Sequence, residues 1–132
     1  MTTIVPVSLA GRSYDIHIGA GLLSQGGILL KPILRGSRVI TITDTSVADL
    51  HLQVLQKSLT DAGLITTPPI IVKPGEQTKS LAAFEAVIES LLERAMERSA
   101  TIVALGGGVV GDLAGFAAAT VLRGVDFVQV PT

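Results

Sequence analysis

A run of glycines is the first feature of the chain that could do chemistry. Gly106-Gly107-Gly108 and Gly111 fit the pattern G-x-G-x-x-G between a predicted strand and a predicted helix. Such glycines let the backbone approach a pyrophosphate, and the helix that follows offers free N–H groups and the positive end of its dipole. The pattern is weak, because it lies on the last strand–helix turn and the acid about 20 residues further on, Asp126, opens a strand instead of closing one. A turn with close helix packing explains the glycines equally well, so both interpretations stay open.

Asp112 is the only charged residue between positions 100 and 122. We place it in the first turn of an apolar, buried helix, where contact with the helix dipole would contribute about 0.3–1 kcal/mol. A charge in so apolar a setting usually has a partner, which favours a role in accepting hydrogen bonds from ribose hydroxyl or amide groups. The stretch is not predicted to span a membrane, because a central charge there costs about 2.5–3.5 kcal/mol and the glycines divide it into strand and helix.

Other polar residues lie directly after predicted strands or, for Arg123, at the end of a predicted helix, and each has two interpretations. Asp44-Thr45-Ser46 can cap a helix, or the Asp44 carboxylate can bind a ribose. Glu76 and Lys79 can form a solvated charge pair or contact a ligand in the loop that they flank. Arg123 suits the negative end of a helix dipole, and its guanidinium could instead hold a phosphate or a carboxylate.

Composition disfavours several classes of function. A net charge of −1 without a basic stripe argues against nucleic acid as a partner. The chain has no Cys, and His17 and His51 are isolated from any cluster with metal-ligand spacing. No Ser or Thr stands beside a base that would make it a nucleophile. The amino terminus lacks the features of a signal peptide, and we expect a cytoplasmic protein.

The elements that must position these residues can be predicted from hydrophobic periodicity. Hydrophobic residues make up 48% of the chain and aromatic residues 3%, which indicates a core of aliphatic side chains between a parallel sheet and helices. Alternation predicts a β-hairpin at a sheet edge, over residues 4–9 and 14–18. Short helical turns are predicted within residues 19–34, strands over 38–43, 69–73, 101–105 and 125–130, and helices over 51–62, 79–96 and 109–122.

This order of elements predicts an α/β fold, with a Rossmann-like, mostly parallel sheet flanked by helices and an amino-terminal β-hairpin. In such sheets, ligands bind outside the carboxyl ends of the strands. Residues 44–46, 74–79 and 106–112 each follow a strand, so we expect these three loops to face one crevice.

Two segments resemble the 3-dehydroquinate synthase family closely. They are ALGGGVVGDLAGFAAATVLRGVDFVQVPT, residues 104–132, and PGEQTKSL, residues 74–81. The match is looser over the rest of the chain. The resemblance implies a lyase that converts 3-deoxy-D-arabino-heptulosonate 7-phosphate to 3-dehydroquinate and phosphate, in the shikimate route to aromatic amino acids. It also implies catalytic use of NAD, a divalent metal (zinc or cobalt) on the substrate hydroxyls, and a homodimer.

The resemblance assigns roles to particular residues. Arg123 resembles the family arginine that reaches the substrate phosphate, from the partner subunit of a dimer. The positions implied to bind NAD are Asp44, Thr45, Ser46, Pro74, Gly75, Glu76, Gln77, Thr78, Lys79, Gly107, Gly108, Val109, Val110, Gly111, Asp112 and Thr132.

The family pattern continues beyond Thr132 with lysines, an asparagine and the Glu/His/His metal ligands. We therefore expect residues 1–132 to be a truncated NAD-binding domain that lacks the carboxyl-terminal metal and substrate domain and is inactive alone. The alternatives are another sugar-phosphate cyclase, such as a 2-deoxy-scyllo-inosose synthase, and a non-catalytic nucleotide-binding module. A metal-dependent alcohol dehydrogenase of the glycerol dehydrogenase kind is a more distant alternative, because it lacks the motif at residues 74–79.

Overall fold

The computed structural model describes residues 1–94 and 96–132. Its elements are β1 (Thr2–Val7), β2 (Tyr14–Gly19), α1 (Gly26–Leu30), β3 (Arg38–Asp44), α2 (Thr45–Val47), α3 (Gln53–Asp61), β4 (Ile65–Thr66), β5 (Ile70–Val72), α4 (Leu81–Glu93), β6 (Thr101–Gly106), α5 (Gly108–Thr120) and β7 (Asp126–Pro131). Short 3-10 turns cover Leu22–Gln25, Glu76–Thr78 and Val121–Arg123, and a π-helical turn, Ala48–Leu52, joins α2 to α3.

The five-stranded sheet is parallel, in the order β4–β3–β6–β7. β5 lies on the same edge of β3 as β4, but further along, beside Ile42, Thr43 and Asp44. The chain thus steps outward from β3 to β5, then crosses back over β3 to β6 and continues to β7. This confirms the predicted parallel α/β sheet and places its topological switch point between β3 and β6, where such sheets bind ligands.

The sheet is buried on both faces, because successive side chains of a strand point to opposite sides. One face packs against α4 and α5, through residues that include Ile40, Ile42, Ile102, Leu91 and Ala114. The other face packs against α1 and α3, through residues that include Val39, Val103, Leu105, Leu55 and Leu59. No helix in the described parts of the chain is both long and apolar enough to cross a membrane.

The hairpin corrects one prediction. It was expected at an edge of the main sheet, yet β1 and β2 form a separate two-stranded antiparallel sheet. The register pairs Val5 with Ile16 and Val7 with Tyr14, which places these side chains on one apolar face. Ile16 and Tyr14 are 42% and 54% exposed. Alternation in the sequence reveals a two-faced strand but not the surface that covers its apolar face.

Three helices differ from their predicted bounds. The segment expected at 51–62 becomes helical from Thr45, because the Asp44 side chain caps it. Ser80 caps α4 in the same way, so that helix covers Leu81–Glu93 instead of residues 79–96, of which Ala95 lies outside the described residues. The helix expected to reach Leu122 ends at Thr120, because the backbone of Val121 is already extended, with φ of −66° and ψ of 135°, and that of Leu122 is left-handed, with φ of 49°.

Candidate functional site

The carboxyl ends of β3, β5 and β6 lie level at one edge of the sheet. In the register, Asp44 of β3 lies opposite Val72 of β5, and Thr43 lies opposite Leu105 of β6. The loops that follow these strands therefore emerge side by side, as the sequence predicted for residues 44–46, 74–79 and 106–112.

Asp44 ends β3 with extended backbone and caps the helix that follows. Its Oδ1 accepts a hydrogen bond of 2.8 Å from the N–H of Val47. Capping and ligand binding are not exclusive here, because a carboxylate has two acceptor oxygens and Asp44 is only half-buried. Thr45 and Ser46 are exposed beside it, at the start of the helix.

The loop from Pro74 to Lys79 turns outward at Gly75, whose φ of 103° favours glycine. The Glu76 side chain is 79% exposed, and Pro74 and Gln77 are also exposed. Thr78 points the other way: it is 8% exposed, and its hydroxyl donates a 2.6 Å hydrogen bond to the Lys73 carbonyl.

An ion pair joins this loop to the glycine turn. Lys79 Nζ lies 2.8 Å from Asp112 Oδ2 and 3.6 Å from Glu76 Oε2. The hydrogen bond and charge of Asp112, followed by the charge of Glu76, raise the pKa of Lys79 above its ordinary value of 10.5. The Lys79 ammonium therefore stays charged at neutral pH, and its small contribution to stability is present below pH 10.5 and is lost as pH rises through the raised pKa of Lys79.

Asp112 differs from its predicted setting. It was placed in the first turn of a buried helix, but it is the fifth residue of α5 and its side chain is 67% exposed. Contact with the helix dipole consequently explains little of why a carboxylate stands at position 112, since that effect fades within the first turn. Asp112 and Lys79 instead line a cleft of about 280 Å³ together with Phe84 and Phe116.

The glycines divide into two kinds. A Cβ on Gly106 would lie 3.0 Å from Val110 Cγ2, and one on Gly115 would lie 3.2 Å from Phe127 Cζ, so packing explains these two. A Cβ on Gly107 or Gly108 would meet no atom within 4 Å, and neither residue has a positive φ. Packing therefore does not require glycine at 107 and 108, and the open space fits a ligand that approaches the start of α5.

The other candidate residues of the glycine turn could contact a ligand through their backbone groups more than through their side chains. Val110 is 1% exposed and belongs to the core, and Val109 is half-buried. The N–H of Gly111 donates to Gly107 within the helix. The N–H of Thr132 donates a 3.3 Å hydrogen bond to the Gly106 carbonyl, which fixes the turn against the end of β7.

Arg123 is not brought to this edge. It lies in the 3-10 turn after α5, directly before β7, and it is exposed. The 13 residues of α5 separate it from the glycine turn, which corresponds to about 20 Å. Arg123 thus belongs to the opposite end of the sheet.

The metal implied by the family resemblance has no ligand set in the part of the chain that the structure describes. No group of three or more His, Cys, Asp or Glu side chains is close enough there to hold an ion. The carboxylates of the site are paired with Lys79 or engaged in capping.

Comparisons with known proteins agree with this architecture. Residues 69–132 match the family described as 3-dehydroquinate synthase N-terminal. The chain is 52% identical to the 3-dehydroquinate synthase of Rhodospirillum rubrum over 131 residues, which are 99% of this chain and 34% of that protein. It therefore spans about a third of the length of the curated relatives that it matches.

Two solved structures extend the comparison. One is a 2-deoxy-scyllo-inosose synthase complexed with carbaglucose-6-phosphate, NAD+ and Co2+, with 25% identity and a TM-score of 0.83 over 98% of this chain and 35% of that one. The other is a 2-epi-5-epi-valiolone synthase from Streptomyces hygroscopicus with NAD+ and Zn2+ bound, with 25% identity and a TM-score of 0.77 over 95% of this chain and 34% of that one.

The fold is the Rossmann-like α/β domain of sugar-phosphate cyclases. Within that class, the chain belongs to the 3-dehydroquinate synthase family.

The open space at Gly108 leads to a prediction. Gly108→Ala should leave the free energy of unfolding unchanged or raise it by up to about 1 kcal/mol, because alanine favours the helix. The same methyl group should weaken dinucleotide binding by about tenfold or more, since overpacking costs about 1–3 kcal/mol. Urea unfolding and an NAD titration measure the two effects.

Gly115→Ala is the matched control. Its Cβ would crowd Phe127, so it should lower stability and leave dinucleotide affinity unchanged. If Gly108→Ala binds NAD as tightly as the original chain, the glycine turn is not a ligand site.

Proposed function

We propose that this chain is the NAD-binding domain of a 3-dehydroquinate synthase, acting in the cytoplasm. The parent protein would convert 3-deoxy-D-arabino-heptulosonate 7-phosphate to 3-dehydroquinate and phosphate. The observation that carries the proposal is the convergence of three loops at one sheet edge, with Lys79 bridging to Asp112 beside the open space at Gly107 and Gly108. The 52% identity to a named 3-dehydroquinate synthase supports the reaction.

The arrangement suggests how NAD would be held. The start of α5 carries no side-chain cap, so its first N–H groups and dipole are available to a pyrophosphate that lies over Gly107, Gly108 and the backbone of residues 109–111. The carboxylates of Asp44, Glu76 and Asp112 would accept hydrogen bonds from ribose hydroxyls. When bound, NAD would take up a hydride from a substrate hydroxyl and return it later in the cycle.

The substrate half of the site would come from elsewhere. We propose that a carboxyl-terminal domain holds zinc or cobalt and most substrate contacts, in line with the Co2+ and Zn2+ of the two related structures. Residues 1–132 would bind and orient the cofactor and perform no chemical step of their own.

The structural likeness to 2-deoxy-scyllo-inosose synthase keeps another sugar-phosphate cyclase as the alternative. The 52% identity to a 3-dehydroquinate synthase, against 25% to that cyclase, favours the first assignment. Product analysis of the full-length protein on each substrate separates the two. A purely nucleotide-binding module would act on neither.

The cofactor proposal predicts a localised response to NAD. In a titration followed by NMR, the amides of residues 44–46, 74–79 and 107–112 should shift together, whereas those of the hairpin and Arg123 should not.

Glu76→Gln and Asp112→Asn should each weaken NAD binding about tenfold, because a hydrogen bond to a charged group contributes about 1.5–3 kcal/mol. Glu89→Gln, on the exposed face of α4, is the control and should bind NAD normally. Shifts centred elsewhere, or no saturable binding, would contradict the proposal.

The domain assignment predicts that the 132-residue chain is inactive alone. Supplied with the heptulosonate phosphate, NAD and zinc, it should form no dehydroquinate, because the metal ligands and substrate contacts would lie in the missing domain. The full-length protein should form product in the same assay. Detectable product from the short chain would show that the assignment is wrong.

We also propose that the parent protein is a homodimer. The hairpin supports this, because a two-stranded sheet is marginally stable alone and one face of it exposes Ile16, Ile18 and Tyr14. The placement of Arg123 fits a dimer too, because α5 separates it from the glycine turn in its own chain, so an Arg123 that reaches a substrate phosphate beside that turn would come from a second chain.

Sedimentation of the full-length protein tests the homodimer. Ile16→Asp should shift the protein toward monomer, because the substitution places a charge in the apolar face of the hairpin. His17→Asp, which changes the opposite face of the same strand, should leave the dimer intact. A wild-type protein that sediments as a monomer at all concentrations would contradict the proposal.

A further inference from the structure

The loop of residues 74–79 has to hold two exposed charged side chains in place. The Glu76 side chain is 79% exposed and that of Lys79 is 40% exposed, so neither is fixed by packing. Exposed long side chains lose rotamer freedom when they are ordered, which makes a loose loop a poor platform for a ligand. The position of both charges consequently depends on the backbone of the loop.

Thr78 is the buried side chain of this loop. It is 8% exposed, and its hydroxyl donates a 2.6 Å hydrogen bond to the Lys73 carbonyl, directly after β5. The N–H of Thr78 donates to Gly75, and the N–H of Lys79 donates to Glu76. The backbone bonds form a single turn, and the hydroxyl ties that turn to the end of the strand.

We propose that Thr78 is a positioning residue, whose hydroxyl bond to Lys73 sets the loop so that Lys79 reaches Asp112 and Glu76 faces the cofactor. The inference rests on the proposed function. It differs from the role that family resemblance implies, because a buried hydroxyl already engaged within the loop is not presented to a dinucleotide. Thr78 acts through Glu76 and Lys79.

Isosteric variants separate the hydroxyl from the shape of the side chain. Thr78→Val keeps the volume and loses the hydrogen bond, whereas Thr78→Ser keeps the hydrogen bond and loses a methyl group. Thr101→Val is the matched control, because Thr101 is fully buried, its hydroxyl has no hydrogen-bond partner among the described residues, and it lies at the opposite end of the sheet. It undergoes the same chemical change without loss of a bond.

The first measurement is the pKa of Lys79 by NMR titration, which does not depend on NAD. In Thr78→Val the pKa of Lys79 should fall toward its ordinary value of 10.5, and the same fall is expected in Asp112→Asn, which removes the charge partner. It should stay raised in Thr78→Ser and Thr101→Val. An unchanged pKa in Thr78→Val, or the same fall in Thr78→Ser, would overturn the inference, since the hydroxyl would then not set the bridge.

The second measurement is NAD affinity of the same variants. Thr78→Val should bind about tenfold more weakly, as expected for loss of one hydrogen bond that orders the site, and Thr78→Ser should recover most of that loss. Equal affinity in Thr78→Val and the original chain would overturn the inference. If the original chain does not bind NAD at all, the proposed function fails, and the Lys79 titration still decides the role of Thr78.

Discussion

The parallel register of β3, β5 and β6 is the constraint on which the rest of the site depends. Because these strands run in one direction and end level, three loops that are distant in sequence emerge at one edge. Neighbouring strands lie about 4.8 Å apart, which keeps their loops within reach of long side chains. Lys79 can therefore meet Asp112 although β3 lies between their two strands.

Most of the sheet could be predicted, because its central strands are β-branched runs and its helices repeat apolar residues with helical spacing. The features that escaped prediction depend on tertiary contacts or on single backbone angles. β4 has two residues, too few for any pattern, and is a strand only because it pairs with β3. The end of α5 depends on the extended backbone of Val121 and the left-handed backbone of Leu122, which their side chains give no reason to expect.

The position of the site could be predicted from the sequence, but the contacts between its side chains could not. A charge in an apolar run suggested burial for Asp112, yet α5 packs through Leu113, Ala114 and Ala117 and turns Asp112 to solvent. The sequence indicated that Asp112 has a partner. Sequence spacing, however, paired Lys79 with Glu76 and did not reveal its ion pair with Asp112 of α5. The inward direction of Thr78 was equally hidden, because a loop sequence does not reveal which side chain turns back onto its own strand.

Arg123 lies in a turn whose backbone is unusual. Leu122 and Arg123 both have a positive φ, a conformation that costs of order 1–3 kcal/mol for residues other than glycine. Such a backbone persists only where its surroundings hold it, and here the N–H of Val125 donates a 2.7 Å hydrogen bond to Ala118 while the N–H of Gly124 donates to Val121. The guanidinium therefore projects from a fixed corner and not from a frayed helix end. That corner and the carboxyl-end loops lie at opposite ends of the parallel sheet, so the proposal that one site uses both is also a proposal that two chains contribute to it.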